Sequence, residues 1–177
     1  TPLGLSISEF RAIEPIHARA LISSYNYFCK DDVIDIISML QLSDSRMDSV
    51  FMKPRDKKEE KEFEKVKKSL SSEYGDFFTL LKIYRLYQKE KGEIESLMGG
   101  DNSKENILDE AAEEELYNEN GKLILKNNQF KPTVKKWCER NFLSYRLLKR
   151  VASNSKQTAR ILNQVMRDYD SKVQKYK

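Results

Sequence analysis

The stretch from Trp137 to Arg150, W-C-E-R-N-F-L-S-Y-R-L-L-K-R, holds more apolar surface than one face of a helix can carry. At about 100° per residue, Val134, Cys138, Phe142, Tyr145 and Leu148 fall on one broad side, and Leu143, Leu147 and Val151 on another. A helix with that pattern is central and is packed from more than one direction. On the same rotation Arg146, Lys149 and Arg150 share an arc of roughly 100° between the apolar sides. A mostly buried helix that keeps one cationic strip is a candidate wall for a channel carrying an anion.

The rest of the chain is built to surround such a helix. Its 177 residues suffice for one domain with a core, or a domain plus a fragment. With 34% charged and 39% hydrophobic residues and few Gly or Pro, a helical protein is expected. No apolar run approaches the length of a membrane span, and Thr1-Pro2-Leu3-Gly4 resembles neither a signal nor a transit peptide. A soluble, intracellular piece of a longer protein is the expectation. The net charge of +4 is unevenly spread: residues 131–177 carry thirteen Lys and Arg against three acids, leaving −6 for the first 130. Such clustering suits phosphate binding, although lysines on solvated helix faces give it too.

In chain order, residues 1–10 alternate apolar and polar side chains around Pro2 and Gly4, which suits a strand remnant. Ile13 to Cys29 has the first full helical pattern. Asp31 is the expected cap of a second helix over Val33 to Leu40, antiparallel to the first. Ser49 to Pro54 is a connector, and 56–70 is a highly charged helix touching the core through Phe63, Val66 and Leu70. Gly75-Asp76 opens an apolar helix over 77–87. From Lys89 to Pro132 the glycines, the Asn-rich turns and an acidic helix near Ile107 to Tyr117 read as an inserted segment. Ser153-Asn154-Ser155 supplies a cap for a last amphipathic helix from Thr158 to Val173. The fold class is all-α, a helical bundle with a short N-terminal strand.

Catalytic chemistry has no foothold here. The sequence lacks phosphate-cradling glycine loops and nucleophile elbows. Cys29, Cys138 and the single His17 cannot assemble a four-ligand zinc site without carboxylates, and both thiols read as core residues. No catalytic and no metal-ligating residue is assigned.

The central stretch also resembles a known family. Trp137, Cys138, Asn141, Phe142, Arg146, Leu148 and Arg150 are similar to the W-C-x-x-N-F-x-x-x-R-x-L-x-R pattern of the helicase-associated (HA2), ratchet-like domain that follows the motor of DEAH-box RNA helicases. Further matches run in order along the chain. Thr1-Pro2-Leu3-Gly4 with Glu9-Phe10 resembles the end of the preceding winged-helix domain. Glu14-Pro15 to Leu21-Ile22, with Arg19 and Cys29, resembles the family's D-P-x-x-x-[KR]-x-L segment and its cysteine. Ser49-Val50-Phe51-Met52-Lys53-Pro54 resembles N-V-F-x-R-P, and Gly75-Asp76 with Thr79-Leu80-Leu81 and Tyr84 resembles G-D-H-x-T-L-L-x-x-Y. Gln157 completes the pattern. Phe77 stands for a usual His, Lys53 for Arg and Ser155 for Arg.

The resemblance implies residues 1–12 as the end of a winged-helix domain and 13–177 as a ratchet-like domain with an insertion at 89–132. It implies an accessory module of an ATP-dependent RNA helicase, helping to form a tunnel for single-stranded RNA with RecA-like, winged-helix and oligonucleotide-binding-fold domains. Arg146, Lys149 and Arg150 would contact phosphate or base, with Asn141 as a hydrogen-bonding partner and Lys53 and Arg55 as further contacts. Arg146 in an intradomain salt bridge is the bland alternative. ATP and Mg2+ would belong to the motor domains, with no cofactor in this segment, and a G-patch-type activator is a further expected partner. Ribosome biogenesis, in the nucleus or nucleolus, is the expected pathway. A splicing helicase, or a helical scaffold that binds a protein through its acidic insertion or basic C-terminal helix, is the alternative.

Overall fold

The computed structural model describes residues 1–43, 47–97 and 134–174. Among them are seven α-helices, α1 (Pro2–Ser8), α2 (Pro15–Asn26), α3 (Lys30–Leu42), α4 (Lys57–Leu70), α5 (Asp76–Leu97), α6 (Val134–Arg140) and α7 (Tyr145–Gln174), with a short 3-10 turn at Met47–Val50. No strand longer than an isolated bridge occurs among the described residues, so the all-α class holds. No described helix is long and apolar enough to cross a membrane.

The N-terminal strand is replaced by a helix. Thr1 caps α1 by accepting a hydrogen bond at Oγ1 from the Gly4 N–H at 3.2 Å, and Pro2 occupies the first turn, where its missing N–H costs nothing. Leu3 and Ile7, one turn apart, then pack on the core while Leu5 faces out. The apolar alternation thus masks a helical i, i+4 pair.

The α2–α3 hairpin forms as expected, with different ends. Pro15 starts α2; Phe28, in a left-handed conformation at φ 56°, reverses the chain, and Cys29 rather than Asp31 is the cap of α3. Asp31 and Asp32 lie in the first turn, where the helix dipole favours them. Phe28 is 97% exposed, so nothing in the core rewards its backbone strain.

Two apolar clusters are stacked along the molecule. One gathers Ala18, Leu21 and Ile22 of α2, Ile34 and Ile37 of α3, and Leu162, Val165 and Met166 of α7 with Phe10 and Ile13. The other gathers Met39 and Leu40 of α3, Leu80, Ile83, Tyr84, Tyr87 and Ile94 of α5, Val134 and Cys138 of α6, and Leu148 and Val151 of α7. Among the described residues, only α3 and α7 supply buried side chains to both. α5 runs past the expected boundary at Lys89 to Leu97, because Ile94 is still buried. The rest of the expected insertion, with its acidic helix, lies outside the described residues.

The expected central helix is broken and then prolonged. α6 stops at Arg140, and Phe142 adopts φ 52° before Ser144 caps α7, its Oγ accepting from Leu147 N–H at 3.4 Å. α7 then runs through Ser153-Asn154-Ser155 without a break. Those three residues do not act as a cap: Asn154 donates to Gln41 Oε1 at 2.9 Å and Ser155 to Asp35 Oδ1 at 2.8 Å, both on α3. Tertiary hydrogen bonds absorb residues whose local preference is to end a helix.

Candidate nucleic-acid interface

The loop between α6 and α7 and the connector before α4 hold each other in place. Met52 N–H donates to Phe142 O at 2.8 Å and Ser144 N–H to Val50 O at 2.9 Å, an antiparallel bridge centred on Phe51 and Leu143. Phe63 of α4 closes over it, its ring edge-on to Phe51 at 5.8 Å and to Phe142 at 5.6 Å. Lys67 lies over both the Phe51 and Phe63 rings and pairs with Asp48 at 2.8 Å. That pair draws the Asp48 carboxyl below its usual range and raises Lys67, in each case through the hydrogen bond first. The start of α7 is therefore fixed from outside by α4 and from inside by the fully buried Leu143, Leu148 and Val151.

On that fixed turn Arg146, Lys149 and Arg150 are all exposed. Lys149 Nζ sits 5.8 Å from the centre of the Tyr145 ring, which orients it along the helix surface. The three cations stand together as the rotation requires. α7 has no acidic residue in its first turn, so Arg146 in that turn opposes the positive end of the helix dipole uncompensated. A surface that concentrates positive charge at a helix N-terminus attracts an anion strongly and stabilises the fold poorly.

The remaining expected contacts divide. Asn141 is half-buried, and its Nδ2 donates to Trp137 O at 2.8 Å, closing the last turn of α6. Its amide is used by the fold. Lys53 and Arg55 are exposed, and Arg55 N–H donates to Glu59 Oε2 at 2.8 Å in a reciprocal cap with Asp56, whose carboxylate accepts from Lys58 and Glu59 N–H. Because the Phe51–Leu143 bridge is antiparallel, the chain after Met52 runs toward Asn141 while Arg146 lies beyond the opposite end. Lys53 and Arg55 thus do not continue the α7 strip.

Behind the strip lies a polar node. Asp35 is surrounded by α3, α5 and α7; burial raises its carboxyl above the usual range, Ser155 and Arg85 draw it back, and Asp32 and Asp31 raise it further. Tyr84's hydroxyl is raised as well, chiefly by burial. Ser155 therefore points at Asp35. Cys138 is fully buried and its thiol is pushed up to about 12 by burial, which makes it a core residue and not a nucleophile. Cys29 is free and half-buried. His17 lies on α2 at 4.0 Å from Glu14, away from the strip. No group of three or more potential metal ligands occurs among the described residues.

Residues 14–80, from the cap of α2 into α5, match the family described as helicase associated domain (HA2), ratchet-like. Over that segment the chain is similar to HA2 ratchet-like domains. It is 24% identical over 162 residues to the probable ATP-dependent RNA helicase DHX35 homolog of Caenorhabditis elegans, covering 92% of the chain and 15% of that protein. To the human ATP-dependent RNA helicase DHX33 it is 33% identical over 88 residues, half of the chain and 11% of the relative. To the pre-mRNA-splicing factor ATP-dependent RNA helicase DEAH10 of Arabidopsis thaliana it is 25% identical over 148 residues, 84% of the chain and 16% of the relative. The chain spans about a sixth of the length of these relatives or less.

The HA2 match covers α2, α3 and α4, whereas the cationic strip lies on α7. The longer alignments reach beyond the HA2 match into the C-terminal half of the chain. The signal that sequence reasoning misses is also on α7: its exposed side continues past Arg150 through Lys156, Arg160 and Arg167. The expected break at Ser153 hides that continuity.

Proposed function

We propose that this chain is an accessory module of an ATP-dependent DEAH-box RNA helicase, and that the start of α7 forms part of the wall of its single-stranded RNA tunnel. The observation that carries the reading is the exposed Arg146, Lys149 and Arg150 on a helix whose opposite side is fully buried. Burial of Leu148, Val151 and Leu162 fixes the helix against the core, so the three cations are presented at a set spacing. Phosphate contacts would come from these three residues, with Lys53 and Arg55 as separate peripheral contacts and Asn141 shaping the loop that presents them. In this reading residues 1–12 end a winged-helix domain and 13–177 form the ratchet-like domain with an insertion at 89–132. RecA-like motor domains outside the chain bind ATP with Mg2+, an oligonucleotide-binding-fold domain completes the tunnel, and a G-patch-type protein activates the enzyme. The sequence of this chain carries no recognisable catalytic motif, so ATP hydrolysis is assigned to the motor domains.

Pre-rRNA processing in the nucleus or nucleolus is the pathway we favour. Splicing is the second reading, supported by the name of the Arabidopsis relative. The module reading is tested by measuring RNA affinity of the full-length protein, with and without Arg146→Glu plus Lys149→Glu, across a salt series. Removing one phosphate-binding cation flattens the salt slope for a single strand by about 0.7, so the double variant should bind more weakly with a slope shallower by about 1.4. Unchanged affinity and slope in a protein that melts normally would remove α7 from the RNA path.

A further inference from the structure

The outer side of α7 is longer than the site so far described. From Tyr145 to Arg167 the sequence contains Arg146, Lys149, Arg150, Lys156, Arg160 and Arg167, and no Asp or Glu; Asp168 ends the run. All six cations are exposed. At about 100° per residue they occupy an arc of roughly 120°. Ser153, Gln157 and Gln164 lie inside the same arc and are exposed, neutral hydrogen-bonding groups. The opposite side carries Leu148, Val151, Thr158, Leu162, Val165 and Met166, all buried. With a rise of about 1.5 Å per residue, the arc from Arg146 to Arg167 is roughly 32 Å long.

Solvation alone does not account for this arrangement. Arg146 and Arg150, and again Lys156 and Arg160, are like charges one turn apart, a spacing that weakens a helix by a few tenths of a kcal/mol per pair. A face that only needed to be wet would interleave carboxylates, as α4 does with Glu59, Glu60, Glu62 and Glu64 among its lysines. A row of one sign fits a long polyanion with evenly repeated charges better than a folded acidic protein, whose carboxylates rarely follow a straight line of that length.

We infer that α7 is a phosphate track along its whole outer face, with Lys156, Arg160 and Arg167 contacting further phosphates of one nucleic-acid strand beyond those held by Arg146, Lys149 and Arg150. The inference rests on the RNA reading above and extends its footprint. It also sets a minimum substrate length, because a strand too short to reach Arg167 engages only the first turns.

The test uses the full-length protein and labelled oligouridylates of about 5 and about 12 nucleotides, within the range of single-strand site sizes. The triple variant Lys156→Gln, Arg160→Gln, Arg167→Gln should bind the longer strand about tenfold more weakly, with a salt slope shallower by about 2, and the shorter strand as before. The matching variant of Arg146, Lys149 and Arg150 should weaken both. All six positions are exposed, so thermal melting should not change. If the distal variant keeps full affinity and slope for the longer strand while the proximal one is impaired in both, the track ends at the first turns and the module reading stands alone. If neither variant affects RNA, both readings fall; weaker binding of a polyglutamate probe by the distal variant would then assign the face to an acidic protein.

Discussion

α4 and α7 are both charged, amphipathic helices on the outside of the molecule, yet they solve different problems. α4 mixes signs: Lys58 and Glu62, Lys61 and Glu64, and Glu64 and Lys68 stand three or four residues apart, so its outer face largely neutralises itself. Its inner face is thin, with Phe63 and Val66 half-buried and only Leu70 buried. α7 separates the two tasks, one side apolar and fixed in both clusters, the other cationic from Arg146 to Arg167. Charge density is the same crude signal in both helices; segregation of sign against a buried back is what separates α7 from α4.

The comparison breaks most readily through stability. Leu148→Ala, at a fully buried site on α7, should cost about 2–5 kcal/mol of unfolding free energy, whereas Val66→Ala on the half-buried face of α4 should cost about 1 kcal/mol. Urea titrations of the two variants measure the difference; equal costs would mean α7 is no more structural than α4. Next in size is the charge contrast. Lys61→Glu with Lys65→Glu on α4 should change RNA affinity by no more than about twofold, against about tenfold or more for Arg146→Glu with Lys149→Glu. A comparable weakening from both pairs would reduce the interface to net charge.

A smaller effect probes the polar node that α7 has and α4 lacks. Removing the Ser155 hydroxyl leaves Asp35 without its 2.8 Å donor, and Ser155→Ala should cost about 1 kcal/mol. The smallest effect depends on pH. Burial raises the Asp35 carboxyl, so the protonated form is favoured by folding; the associated stability is fully present at acid pH and is lost as pH rises through the raised folded value. Asp35→Asn, which keeps an oxygen for Ser155, should therefore melt slightly higher than the parent at about pH 7 and equally at about pH 3. A lower melting temperature at neutral pH would show that the ionised carboxylate is itself stabilising.

Much of the fold is written in periodicity. The α2–α3 hairpin, the inner face of α4 and the body of α5 follow directly from apolar spacing, and Gly75 with φ 102° marks the turn before α5 as its composition suggests. The departures share one cause, local signals that are absent or overridden. Asn141 to Ser144 interrupts the central helix with Phe142 in a left-handed conformation, a position where sequence normally signals with glycine. Ser153-Asn154-Ser155 signals a stop that hydrogen bonds from α3 override. At the site, Arg146, Lys149 and Arg150 are legible because they share a helix turn with buried neighbours. Asn141 has the chemistry of an RNA ligand, and its Nδ2 also donates to Trp137 O at the end of α6. Lys156, Arg160 and Arg167 are not legible as part of the strip, because the stop signal before them suggests a separate helix.

Ile94, near the end of α5, and Val134, the first residue of α6, lie in the same apolar cluster. The two helix ends between which the joining chain runs are therefore both pinned by the core. The place of α7 is set by Leu148 and Val151 in that same cluster, so the two anchors and the cationic helix share one support.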